Sequence, residues 1–196
     1  MGTINLKRAI IILLMIGIVA GVAGCARWPY GPEPEPGTEY QLEITVEVKG
    51  EINTDEGIYY IVFDADSDFV DGPGDDIEFG WEDDYYYIML DEWGFSFAQV
   101  KDDFGSTFYG GNISGTNTFQ ITIAISDLGD PIPTKIDINV VTTDSNNHTY
   151  DSLSDGYFFI STSWGSSKTI SDSEGDSGEG GDDFDIKKVT AIITTL

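Results

Sequence analysis

The sequence predicts an all-β fold: an antiparallel β-sandwich, jelly-roll or immunoglobulin-like, of about 9–11 strands with little helix. Three observations carry this expectation. Apolar and polar residues alternate with a period of two in run after run beyond residue 38, so each run offers one face to a core. Clusters of Gly, Asp and Asn punctuate the runs at short intervals. No window beyond residue 38 carries a convincing helical period.

Taken in order, residues 42–48 open the domain, with Leu42, Ile44, Val46 and Val48 on one face and Glu43, Thr45 and Glu47 on the other. Residues 58–63 are apolar or aromatic on both faces, the mark of a central strand covered from each side. Shorter runs at 76–79, 85–90, 95–101 and 107–109 follow. Residues 117–125 alternate through Phe119, Ile121, Ile123 and Ile125. A single helical turn is expected at Ser126–Asp127–Leu128–Gly129. Alternation resumes at 136–140, and further strands are expected at 157–161, 168–171 and 184–194. The face parity changes between Ile186 and Val189, which predicts a bulge near Lys187 and Lys188. Turns are expected at 53–57, 72–74, 110–112 and 144–147. Residues 171–183 hold six acids, four glycines and no apolar side chain, so they read as a mobile, solvated internal loop.

The domain is expected to span residues 39–196, behind two appended segments. Lys7 and Arg8 precede an uncharged apolar run from Ala9 to Ala23, shorter than the roughly 20 residues that span a bilayer comfortably. A positive start and a short apolar core describe a signal peptide over residues 1–24. Val22–Ala23–Gly24–Cys25 resembles the lipobox of bacterial lipoproteins. That resemblance implies cleavage before Cys25 and acylation of its thiol, so that lipid chains such as palmitate anchor the protein in the bilayer. Residues 25–38 carry four of the seven prolines, alternating with Glu33 and Glu35. Such a segment favours extended polyproline II and reaches on the order of 30 Å, a tether between lipid and domain. Trp28 and Tyr30 suit either the headgroup interface or an unstructured linker.

With 35 Asp and Glu against 9 Lys and Arg, the net charge is −26, and loss of residues 1–24 would take it to −28. This balance excludes binding to nucleic acid, whose phosphates need cations to release counterions. The same holds for an anionic membrane surface approached through a basic patch. One cysteine excludes a disulfide framework or a paired-cysteine zinc site. Catalytic signatures are also missing. His148 is the only histidine and lies in an expected turn, and neither GxSxG nor HExxH occurs. Asp76, Glu78 and Glu82 have the wrong spacing for the paired acids of jelly-roll glucanases. The chain reads as a non-enzyme.

Fifteen acids and no Lys or Arg lie between Lys49 and Lys101, densest at 64–76. Crowded carboxylates repel, and a divalent cation relieves the repulsion. Oxygen donors from Asp64, Asp66, Asp68, Asp71, Asp75 and Asp76 would suit Ca²⁺. The spacing is not that of an EF-hand, because Phe69 stands where that loop needs Gly. The other reading is a solvated acidic hairpin. Aromatic residues crowd the middle of the chain, and Tyr85 and Tyr87 share one strand face. Trp81, Tyr85, Tyr87 and Trp93 are candidates for flat rings that hold sugars, or alternatively for core and sheet-edge packing.

Three segments in order resemble DOMON-like domains and the related family 9 carbohydrate-binding modules. They are 59–66, an apolar strand ending in Asp64 and Asp66; 119–129, a long alternating strand into a short turn; and 136–144 with Asp151–Ser152–Leu153. The resemblance covers roughly residues 40–195 and implies a β-sandwich that binds sugar, haem or no known ligand, sometimes with structural Ca²⁺. Haem-binding members use Met and His, for which Met89 and His148 alone are present beyond residue 25. The expected function is therefore a lipid-anchored extracytoplasmic protein of the cell membrane or outer membrane. Its sandwich would bind a polysaccharide, with a structural or assembly role through envelope proteins as the main alternative and a glycosidase as a third.

Overall fold

The computed structural model describes residues 37–66, 72–77, 81–102, 107–154, 156–172 and 180–196. The expected signal peptide, Cys25, Trp28 and Tyr30 lie outside them, as do Asp68 and Asp71. Among the described residues there are twelve strands: β1 Tyr40–Val48, β2 Ile58–Asp64, β3 Tyr86–Asp91, β4 Gly94–Gln99, β5 Thr107–Phe108, β6 Gly111–Ser114, β7 Thr118–Ala124, β8 Lys135–Thr143, β9 Thr149–Ser152, β10 Phe158–Ser161, β11 Ser167–Ser171 and β12 Ile186–Thr195. Two single 3-10 turns, Val100–Asp102 and Ile125–Leu128, are the only helical elements among these residues. The second is the helical turn expected from Ser126–Gly129.

Every strand pair is antiparallel, and the strands form two sheets. The first has the order β11-β12-β1-β7-β6; the second runs β10-β8-β2-β3-β4-β5, with β9 also paired to β8. Alternation does the sorting. In β1, Leu42, Ile44, Val46 and Val48 are fully buried while the residues between them are half-exposed. Their neighbours Phe119, Ile121 and Ile123 on β7, and Val189, Ala191 and Ile193 on β12, face the same way. From the second sheet Tyr59, Ile61, Phe63, Ile88, Leu90, Ile136, Ile138 and Val140 meet them in one continuous core. The protein is an antiparallel β-sandwich.

The two central strands of the second sheet, β2 and β8, are buried on both faces, as the two-sided apolar character of 58–63 implied. The bulge expected near the lysine pair is present: Glu47 pairs with Lys188 and Val48 with Ile186, so Lys187 is skipped. One strand forms where a turn was expected, and another where no strand was. β6 contains Gly111 and Asn112 and exposes all four side chains, so backbone pairing to β7 suffices to hold it. β9 follows the Asn147 turn and pairs with β8. The strand expected at 76–79 is not formed over its described part, where Ile77 lies in a turn.

Part of the acidic segment 171–183 is anchored. Gly50 N–H donates to Asp182 O at 2.6 Å, Glu51 N–H to Asp183 Oδ1 at 2.9 Å, and the Tyr59 hydroxyl to Asp183 O at 3.0 Å. Phe184 stacks on Tyr59 at 5.4 Å and closes this end of the core. Residues 173–179 lie outside the described residues.

Candidate functional site

Side chains of β2 that point away from the core build a second, smaller cluster. Tyr60 stands beside Met89 on β3 and Val141 on β8, and Val62 beside Tyr87. A bare sheet face carrying Tyr and Val would leave apolar area in water, and two loop segments cover it. Ile77 packs here, and Trp81 lays its ring against Tyr60 at 5.3 Å and Tyr87 at 5.9 Å. The Trp81 indole N–H donates to Gly74 O at 3.1 Å, which ties one segment to the other. Burial pushes the Tyr60 and Tyr85 hydroxyls well above the usual phenol range, aided by nearby acidic groups.

Further along, the same face turns polar. Asp64 lies opposite Asp137, and Val62 opposite Asn139. Asn139 is fully buried, Asp64 is 2% exposed and Asp137 5%. The Asn139 Nδ2 group donates to Pro73 O at 3.0 Å and Gly74 O at 3.2 Å, so the amide holds the covering loop down. Lys135 Nζ meets Asp137 Oδ2 at 2.5 Å, and Asp66 N–H donates to Asp64 Oδ1 at 3.0 Å. Burial pushes the Asp64 carboxyl up to about 6; the Asp66 N–H opposes the rise, and the charges of Asp66, Asp137 and Asp84 add to it. Two acceptors, Asp137 Oδ1 and Asn139 Oδ1, are buried with no hydrogen-bond partner among the described residues.

The covering loop forms one wall of an open groove of about 580 Å³. Gly72 to Asp75 line that side; Thr149 to Ser154, Gly156 and Tyr157 line the other. Thr149 Oγ1 donates to Asp75 O at 2.8 Å across it. Gly72 lies flat on the Tyr157 ring, so close that a Cβ there would sit 2.5 Å from ring carbons. Tyr150 packs against Phe184 with ring centres 4.9 Å apart and the rings tilted by 45°, and Tyr157 is 37% exposed. Asp151 Oδ2 accepts the Ile186 N–H at 2.7 Å. Burial pushes this carboxyl up to about 6 against that bond, with the charges of Asp185 and Asp172 adding to the rise. The groove thus sets tyrosine rings among carboxylate, hydroxyl and backbone oxygens. A second concavity of about 370 Å³, mostly apolar, is lined by Gly37, Tyr40, Ile125, Ile132 and Pro133 among others.

The sequence-derived candidates divide. Trp81, Tyr85 and Tyr87 are brought together in the outer cluster, where Tyr85 is 3% exposed and the other two are half-buried. Trp93 is separate, 75% exposed at the tip of the β3–β4 hairpin, where its N–H donates to Asp91 Oδ1. Of the acidic candidates, Asp64 is buried, whereas Asp66, Asp75 and Asp76 are exposed. Among the described residues no three His, Cys, Asp or Glu side chains gather closely enough to hold a metal ion. Met89 is half-buried in the outer cluster, and His148 is exposed in the β8–β9 turn, where its N–H donates to Asp144 Oδ1. Sequence reasoning missed Asp137, Asn139, Tyr150, Asp151 and Tyr157 as site residues.

Fold and groove together define a β-sandwich with a polar, tyrosine-bearing cleft on one flank. No family model matches the chain, and no curated protein and no solved structure is significantly similar to it.

Proposed function

We propose that this protein is a non-catalytic, lipid-anchored extracytoplasmic module whose groove between residues 72–75 and 149–157 takes a carbohydrate. The observation that carries this reading is the composition of the groove. The Tyr157 ring offers apolar area to a sugar face, while Asp75, Asp151 and Ser152 offer acceptors for hydroxyls. The likeness of residues 59–66, 119–129 and 136–144 to DOMON-like and family 9 carbohydrate-binding modules supports the same ligand class. Anchoring rests on the Val22–Ala23–Gly24–Cys25 motif, and it predicts that Cys25→Ser moves the protein from the membrane fraction to the soluble one.

The test is retention on a panel of insoluble polysaccharides. The wild type should be retained on at least one, and Tyr157→Ala should weaken retention about tenfold, as expected when one stacking ring worth roughly 1–2 kcal/mol is lost. Trp93→Ala separates the groove from the hairpin tip: a larger loss there would move the sugar site to Trp93.

A second reading, an envelope-assembly protein, has its own support. The edge strands β5 and β6 carry Phe108, 85% exposed, and Ile113, 46% exposed, where another chain could add a strand or cover the rings. Uniform failure of the polysaccharide panel, with loss of a crosslinked envelope partner in Phe108→Ser, would favour it.

A further inference from the structure

We propose that Asp64, Asp137 and Asn139 form a Ca²⁺ site on the outer face of the second sheet, beneath the loop that walls the groove. Two carboxylates stand directly opposite each other on neighbouring strands, an arrangement that destabilises a sheet unless something neutralises it. Lys135 answers one oxygen of the pair, Asp137 Oδ2, and leaves Oδ1 buried without a partner among the described residues. Asn139, two residues along β8 and on the same face, has its NH₂ committed to Pro73 O and Gly74 O, and its fully buried Oδ1 is likewise unpartnered. Orphaned buried acceptors are costly, and two on one strand face beside a buried carboxylate call for a shared electropositive partner.

The donor chemistry selects the ion. All three groups present oxygen, which suits hard cations rather than zinc or copper. Opposed residues on paired strands lie about 5 Å apart and diagonal ones about 7–8 Å, spans that Asp and Asn side chains close to Ca–O distances near 2.4 Å. An amide oxygen among carboxylates is a calcium donor type, and it explains why no triad of acidic residues is needed. The two carboxylates supply the negative charge a divalent ion needs, with Lys135 holding the Oδ2 oxygen of Asp137. Bound at Oδ1, the ion would fix the Asn139 amide and with it the clamp on Pro73 and Gly74. Calcium therefore organises the groove wall without touching its ligand.

The test uses the full-length protein in detergent, stripped with chelator and then given millimolar Ca²⁺, with no sugar present, so that its outcome is independent of carbohydrate binding. The melting temperature should rise by about 5 °C or more at a hundredfold excess over Kd, and dialysis against radiolabelled calcium should find one ion per chain. Asp64→Asn and Asp137→Asn should each abolish the shift, whereas Asp75→Asn with Asp76→Asn should keep it. Terbium luminescence, sensitised by Tyr85 and competed away by Ca²⁺, reads the site in the wild type even if a variant fails to fold. Absence of both shift and bound ion would overturn the site. A shift that survives in both single variants, or that Mg²⁺ reproduces in full, would overturn it as well.

Discussion

The inner face of the second sheet is covered by another sheet, its outer face by two loop segments. Inside, Tyr59, Ile61 and Phe63 meet strands whose own alternation supplies apolar partners, and each layer is rigid because its backbone is paired. Outside, Tyr60 and Val62 meet Ile77 and Trp81, which are held by side-chain bonds such as Trp81 to Gly74 and Asn139 to Pro73. A sheet can cover only an apolar face, whereas a loop brings carbonyls that satisfy polar side chains. That difference is why the outer face can bury Asp64, Asp137 and Asn139 while the inner face, apart from Thr142, stays apolar.

The sharpest way to break this comparison is to truncate one packed side chain on each side. Ile61→Ala, in the core between sheets, should cost about 3–5 kcal/mol in denaturant unfolding, since paired strands cannot collapse into the cavity. Trp81→Ala should cost less, about 2–3 kcal/mol, because the loop segments can settle onto Tyr60. Equal losses would mean that the outer cluster is as rigid as the core. A third and smallest effect concerns Asp151 at the groove. Its carboxyl is raised from 3.8 to about 6 in the folded chain, so its contribution to stability is complete below the lower value and lost as pH rises through the higher one. Unfolding midpoints measured in chelator should therefore fall between about pH 4 and 6, and Asp151→Asn, which keeps an acceptor for Ile186, should flatten that fall. An unchanged slope would assign the dependence to other carboxyls.

Much of the sandwich was legible because alternation over seven to nine residues admits one placement. Strands β1, β7 and β12 read out directly, as did the bulge at Lys187 and the turn after Ala124. β6 was illegible for a physical reason: a strand with every side chain in solvent needs no alternation, and Gly111 looks like a turn. At the site, the shared face of Tyr85 and Tyr87 was legible, and so was the two-sided burial of β2. What went unread was its corollary. If both faces of β2 are covered, the polar positions of its neighbour β8 cannot be solvent-facing, so Asp137 and Asn139 had to be buried. Tyr157 and Gly72 meet only through the folded chain, and no local pattern announces such a contact.

The position of β1 bears on the order in which this molecule assembles. It lies between β7 and β12, paired along its length to residues 118–124 on one side and 186–195 on the other. Half of its partners are thus among the final residues of the sequence. Until β12 arrives, Leu42, Ile44, Val46 and Val48 have an incomplete sheet to close over. Such long-range pairing slows the search for the native arrangement. β1 can pair with β7 first, but its apolar row is flanked on both sides only once the last strand of the domain has joined the first.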